Sequence, residues 1–318
     1  MNSGTWERRQ TADFGYVFSR HVCSDVDRPA TASDTKEHRR QLLSDGCREL
    51  SLNVTVSDEV WYEMYFDDQM DYVYCLVGKV ACTNWKRTLM MLTGKISQYQ
   101  RPEQLPFTFV FSYRPVNPDK YVDRLEKLPL EYRDWRFKSS RYFTFLFVRE
   151  PLERLVSAYR DKLLEDPHRR LDAEIVRQYR PHDYKPSIKH YHVTFAEFVR
   201  YVLDEYAAGK VLNRHWTPQN QLCRVCQYRW DFIGHFETLR EDADYVVKKL
   251  KSRIMEVGHR RRVANIKFPA DSRHRKSGHF LQPMYASLPA ADVQALYKLY
   301  AVDYALFGFK HPNVTGFT

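Results

Sequence analysis

Twice in the middle of the chain a short apolar run breaks into a polar loop and resumes at helical spacing. Tyr72–Val77 is continuously apolar and rich in aromatic and β-branched residues, the pattern of a strand covered on both faces. Beyond its loop, Trp85, Leu89 and Leu92 recur at helical intervals. They predict a helix with one face in the core and Gly94 as its C-cap. Tyr142–Val148 repeats the strand pattern, and Leu152, Leu155, Val156, Tyr159 and Leu163 form the stripe of a second core-facing helix. Pro151 takes its first helical position and Glu153 its first turn, where a fixed φ and a negative charge are favoured.

Weaker patterns fill in the rest. Phe107–Tyr113 (FTFVFSY) predicts another strand, and Phe195–Leu203 and Val293–Tyr300 predict helices. Residues 114–140 are basic, contain proline and read as a connecting excursion. Residues 1–59 read as a polar stem or irregular arm with a short helix near Glu37–Leu50. From 60 to 318 the alternation of strand and helix predicts one α/β domain. Its core is a parallel sheet flanked by helices, with ligands at the carboxyl ends of the strands.

Both loops carry phosphate chemistry. A helix N-terminus offers unpaired N–H groups and a positive dipole end. In the first loop Gly78 frees the turn, Lys79 supplies a mobile point charge, and Thr83 or Asn84 caps the helix. In the second, Arg149 offers a planar fork between strand and helix, Ser157 adds a hydroxyl, and Arg154 and Arg160 add positive potential. The plainer readings are a surface lysine at an ordinary turn and a solvated basic helix face. No GxxxxGK[ST] occurs, which argues against an ordinary P-loop ATPase or GTPase, and the kinase signatures are missing as well.

Composition narrows the partner. The 318 residues carry a net charge of +10 with 43% hydrophobic residues, a globular balance whose surface favours polyanions. Lys251–Lys276 concentrates the excess, including Arg260, Arg261 and Arg262. It reads either as a solvated loop or as a rim for an acidic glycan. No nucleic-acid-binding pattern accompanies it. Of six cysteines, Cys223 and Cys226 form a lone CxxC. That is weak evidence for zinc and fits a local disulfide or plain structural cysteines better, so no metal is expected. Sequons stand at Asn53 and Asn313. No stretch approaches eighteen apolar residues, the length a membrane span needs.

The segments GKVACTNWKR and VREPLERLVSAYRDK resemble the two cofactor signatures of the Golgi carbohydrate sulfotransferases. The nearest branch holds the chondroitin and dermatan 4-O-sulfotransferases, the N-acetylgalactosamine 4-sulfotransferases and the HNK-1 sulfotransferase. The likeness continues through NRHW (Asn213–Trp216), LCRVC, DFIGHFETL and LYKLYAVDYALFGF. It implies a P-loop-like parallel sheet flanked by helices, of sulfotransferase type, and the donor 3′-phosphoadenylyl sulfate. The first loop, with Gly78, Lys79, Val80, Ala81, Cys82, Thr83 and Asn84, would meet the 5′-phosphosulfate. The second, with Arg149, Glu150, Pro151, Arg154 and Ser157, would meet the 3′-phosphate. Gly78 stands where such proteins usually carry proline, which loosens the loop. The resemblance also implies a Golgi lumenal enzyme with an N-terminal membrane anchor, which no segment here supplies.

Sulfuryl transfer is an in-line displacement governed by positioning and electrostatics. Lys79 would stabilise charge on the leaving phosphate. His215 is the first candidate for the base that takes the acceptor's proton; its alternative is a structural histidine beside Trp216. Glu237 is the second candidate, its alternative a capping or ion-paired carboxylate. A glycan-binding member without turnover is the competing function.

Overall fold

The computed structural model describes residues 32–50, 63–111, 123–124, 127–165, 169–269 and 277–310. Cys23, both sequons and Arg273–Lys276 lie outside the described residues. The chain divides into compact units 1–35 and 36–318. Of the first, only the opening of helix α1 (Ala32–Glu49) is described.

The second unit is built on a five-stranded sheet: β1 (Met64–Asp67), β2 (Tyr72–Cys75), β3 (Asp123–Arg124), β4 (Phe143–Val148) and β5 (Phe232–His235), in the order β3-β1-β2-β4-β5. The expected parallel core is there: β2 pairs with β4 (Cys75 opposite Leu146) and β4 with β5 (Val148 opposite His235), both in parallel. β1 and β3 extend one edge as antiparallel strands. All six residues of β4 are buried, as its uninterrupted apolar run requires. At Gly234 in β5 an added Cβ would lie 2.2 Å from the Phe147 ring, so only glycine lets the two strands pair beneath that side chain.

Helix α2 (Cys82–Leu92) follows β2 and lays Trp85 on the sheet, 5.4 Å from the Phe145 ring and 4.7 Å from Phe147. Next come α3 (Phe107–Phe111) and α4 (Leu130–Lys138). Helix α5 (Pro151–Tyr159) follows β4 and runs into a π-helical turn, Arg160–Glu165. After it come α6 (Arg169–Tyr179), α7 (Phe195–Ala207) and α8 (Gln219–Leu222). The chain then forms α9 (Leu239–Arg253), α10 (Val257–Val263), α11 (Ser277–Ala286) and α12 (Ala290–Phe307). α5, α7 and α12 enclose a second apolar cluster in which Phe198 meets Tyr159 at 5.6 Å and Trp216 at 5.2 Å.

Four expectations need correction. Phe107–Phe111 is helical, not a strand: Pro106 starts the turn, Phe109 N–H bonding its carbonyl, and Val110 is fully buried while Phe107 and Thr108 are exposed; Ser112 and Tyr113 lie outside the described residues. The excursion over 114–140 contains α4. The polar arm is not all stem: from Lys36 onward α1 belongs to the domain. There Arg39 donates to Asp242 at 2.7 Å and to the Ile233 carbonyl, and Cys47 bonds Cys226. The CxxC cysteines do not pair locally, for Cys223 joins Cys75 of β2. The two bridges close separations of 179 and 148 residues. In the chain-entropy model each such closure, taken alone, stabilises by about 5 kcal/mol.

Candidate active site

Three segments meet at the carboxyl ends of β2 and β4: the β2–α2 loop, the β4–α5 loop and the NRHW segment. Their common fastener is Arg154. Its guanidinium is fully buried and donates to the carbonyls of Gly78 (3.0 Å), Thr217 (2.8 Å) and Arg214 (2.9 Å). Arg154, expected at the 3′-phosphate, here ties one loop to the other. Helix α12 completes the frame. Tyr300 donates to the Trp216 carbonyl, and the buried Asp303 accepts the backbone N–H of Gln219 and Asn220. Gln219 in turn brackets Arg149, accepting its N–H at 2.9 Å and donating to its carbonyl at 2.7 Å, as a neighbouring strand would. Burial pushes the Asp303 carboxyl up to about 6.

In the first loop the left-handed residues are Lys79 (φ 69°) and Ala81 (φ 54°), not Gly78. An L-residue held there is strained by about 1 kcal/mol or more, and such strain gathers at functional sites. A Cβ at Gly78 would sit 3.4 Å from the His215 ring, so the glycine answers no conformational demand. Ala81 is the N-cap of α2 and no side chain caps the helix. Thr83 and Asn84 lie inside it, which corrects their expected capping role. Val80 and Ala81 are buried and can offer only backbone; Cys82, Thr83 and Asn84 are partly exposed. Lys79 Nζ lies 3.3 Å from Asp161 of the π-helical turn.

His215 lies beside this loop. Its Nδ1 is 2.7 Å from Asn213 Oδ1, which also accepts the His215 backbone N–H. The amide oxygen thus selects the Nδ1–H tautomer and leaves the lone pair on Nε2. Burial, with the charges of Lys162, Arg214 and Lys79, drives the imidazole down to about 2, so it is neutral at physiological pH. Arg214 itself pairs with Glu63 at 2.6 Å.

The second loop is enclosed. Arg149 is fully buried; it donates to Glu153 at 3.1 Å and to the Lys79 carbonyl at 3.4 Å, and its plane covers Phe236 at 4.1 Å. Its Nε is a buried donor without a partner. Glu150 caps α5, accepting the N–H groups of Leu152 and Glu153 and the Tyr304 hydroxyl. Burial raises this carboxyl to about 7. The α5 N-terminus is therefore filled by the protein's own carboxylate, that of Glu150, which the resemblance places at the 3′-phosphate. Pro151 and Ser157 are buried. Glu237 accepts the Glu150 N–H at 3.1 Å, so it belongs with this loop rather than with Lys79 and His215; burial pushes its carboxyl up.

The residues fit a donor with two phosphates unequally. The α2 N-terminus and Lys79 suit a phosphosulfate. Arg149 with its orphaned Nε suits a phosphate only once Glu153 yields. Asp161, Lys162, Gln219 and Asp303 escaped the sequence reading, although all but Gln219 stand within quoted segments; a π-helical turn leaves no periodic trace. In the described part of the basic run, Arg260, Arg261 and Arg262 are exposed on α10, and Lys251 donates to the Ala264 carbonyl. Among the described residues no helix is long and apolar enough to cross a membrane and no cluster of metal-ligating side chains occurs.

The pattern of the Sulfotransferase family matches residues 62–310. Carbohydrate sulfotransferase 12 of Mus musculus is 32% identical over 325 residues, covering 94% of this chain and 73% of that protein. Carbohydrate sulfotransferase 14 of Homo sapiens is 34% identical over 252 residues, covering 78% and 60%, and carbohydrate sulfotransferase 11 of Rattus norvegicus is 31% identical over 287 residues, covering 86% and 76%. The chain thus spans between three fifths and about three quarters of these relatives. No solved structure matches it. A sheet with a parallel core, a strained cationic loop opening an uncapped helix and a family match over most of the chain lead to one conclusion: this is an enzyme of the carbohydrate sulfotransferase family.

Proposed function

We propose that the protein moves a sulfuryl group from 3′-phosphoadenylyl sulfate to the 4-hydroxyl of N-acetylgalactosamine in chondroitin or dermatan. The observation that carries the reading is the convergence of Lys79, the uncapped α2 N-terminus and a neutral His215 at one strand end. The donor supplies a sulfuryl group already activated on a phosphate. Lys79 and the N–H groups of α2 neutralise charge where the 5′-phosphate departs. His215 Nε2 accepts the acceptor hydroxyl's proton while Asn213 holds the ring; burial and the charges of Lys162, Arg214 and Lys79 depress its basicity in the empty site, and the anionic donor offsets the lysine charges. Glu237, bound to the second loop, is the weaker candidate for that base. Arg149 and Ser157 serve the 3′-phosphate, with Arg149 Nε as the free donor.

The acceptor assignment rests on the resemblance to the 4-sulfotransferase branch and on charge. The net +10 and the exposed arginines of α10 suit a uronic-acid polymer. Two long-range disulfides suit an oxidising lumen such as the Golgi, and any stem ends before Lys36. Incubation with labelled sulfate donor and a panel of chondroitin, dermatan, heparan and desulfated glycans, followed by disaccharide analysis, tests the reading. Sulfate at the 4-position of galactosamine supports it. Label confined to a neutral glycoprotein glycan overturns the acceptor, and no transfer to any glycan overturns the reaction.

A further inference from the structure

The π-helical turn after α5 places two adjacent side chains, Asp161 and Lys162, at the first loop. A π-turn inserts one residue into the helical register and re-aims the side chains beyond it. Asp161 Oδ2 lies 3.3 Å from Lys79 Nζ and 3.0 Å from Lys162 Nζ. Asp161 is 39% exposed while Lys79 is only 12% exposed, so the lysine is held from its open side. An ion pair this accessible contributes little to folding, and it is built on a residue in a left-handed conformation. Weak stabilisation at a strained position suits an exchangeable contact better than a structural one.

We propose that Asp161 is a latch for Lys79: it holds the ammonium in the donor-free enzyme and yields it to the incoming phosphosulfate. Lys162 makes the exchange possible, because Asp161 keeps a cation at 3.0 Å when Lys79 leaves and is not left unpaired. Burial works to raise the Asp161 carboxyl, but Lys79 and Lys162 outweigh it and the net shift is downward. Lys79 therefore meets its ligand already oriented by a competitor, and the donor must displace that competitor to bind. The inference rests on the assignment of Lys79 to the donor.

Calorimetry with adenosine 3′,5′-bisphosphate on the full chain tests it, using Asp161→Asn, Lys79→Ala and the double variant. Removing the competing carboxylate is expected to tighten binding roughly two- to fivefold, the scale of one accessible charge pair. The gain should vanish in the Lys79→Ala background, because the two residues act on one contact. A merely structural Asp161 would lower the melting temperature and bring no gain. Unchanged or weaker binding by Asp161→Asn, with Lys79→Ala weakened, would overturn the latch and leave the donor assignment standing. Parental binding by Lys79→Ala would overturn both.

Discussion

The loop between β2 and α2 and the loop between β4 and α5 both leave the carboxyl end of a parallel strand, yet they treat their helix N-termini differently. The first has no side-chain cap, two residues in the left-handed region and a lysine held by an exchangeable carboxylate. The second is capped by Glu150, begins with proline and buries both of its arginines. One strand–loop–helix pattern thus serves two purposes. An open N-terminus keeps its dipole for a ligand, whereas a capped one spends it on the fold. The enclosed loop positions the open one, since Arg154 and Arg149 grip the carbonyls of Gly78 and Lys79.

The contrast can be broken at several points, the largest on the chemistry. His215→Ala should lower turnover by about 10²–10⁴, the range for a lost general base, with little change in donor affinity; steady-state kinetics beside calorimetry would show it, and a small loss would return the base to Glu237. Arg154→Met should cost roughly 3–5 kcal/mol in chemical unfolding, because a buried charge that pairs three carbonyls is removed and all three are left without a donor. A loss under about 1 kcal/mol would mean that the loops hold together without it.

Glu150→Gln probes the enclosed helix start through pH. The folded-state carboxyl is raised to about 7 against 4.5. The parent's contribution from this group is therefore fully present below about 4.5 and is lost as pH rises to about 7. The amide mimics the protonated acid, so the variant should gain on the parent across that window, by roughly 3 kcal/mol at 1.36 kcal/mol per unit. Parallel pH–stability curves would contradict the assignment. At the open loop, Gly78→Ala should raise stability by about 0.4–1 kcal/mol through the unfolded chain, because the position is not left-handed and its Cβ meets only ordinary contacts. Destabilisation would show that the glycine is required after all.

Much of this was legible in the sequence, for reasons particular to each element. β2, β4, α2 and α5 could be read because strands covered on both faces and helices against them leave uninterrupted runs and 3.6-residue stripes. The short helix Phe107–Phe111 was misread because aromatic residues favour strands wherever tertiary context is silent, and here Pro106 decided the turn. Lys79 and Arg149 could be named from residue type beside a strand end, and His215 from its imidazole and the NRHW resemblance. The separate fates of the two arginines could not, since Arg149 and Arg154 are told apart only by the carbonyls and carboxylates that surround them in space. Asp303, far along the chain, reaches Gln219 only through the packing of α12. The cysteine pairing likewise depends on α1 and β2 both reaching the CxxC segment in space.

The most direct test of the open loop as the site of transfer is the Lys79→Ala enzyme at saturating donor. Charge on the departing phosphate grows in the transition state, so the lysine should matter more there than in the ground state. Turnover is expected to fall by about 10²–10³, well beyond the loss in affinity for adenosine 3′,5′-bisphosphate. Near-parental turnover once the donor saturates would contradict it, reducing Lys79 to a binding group and leaving the chemistry to be sought elsewhere in the fold.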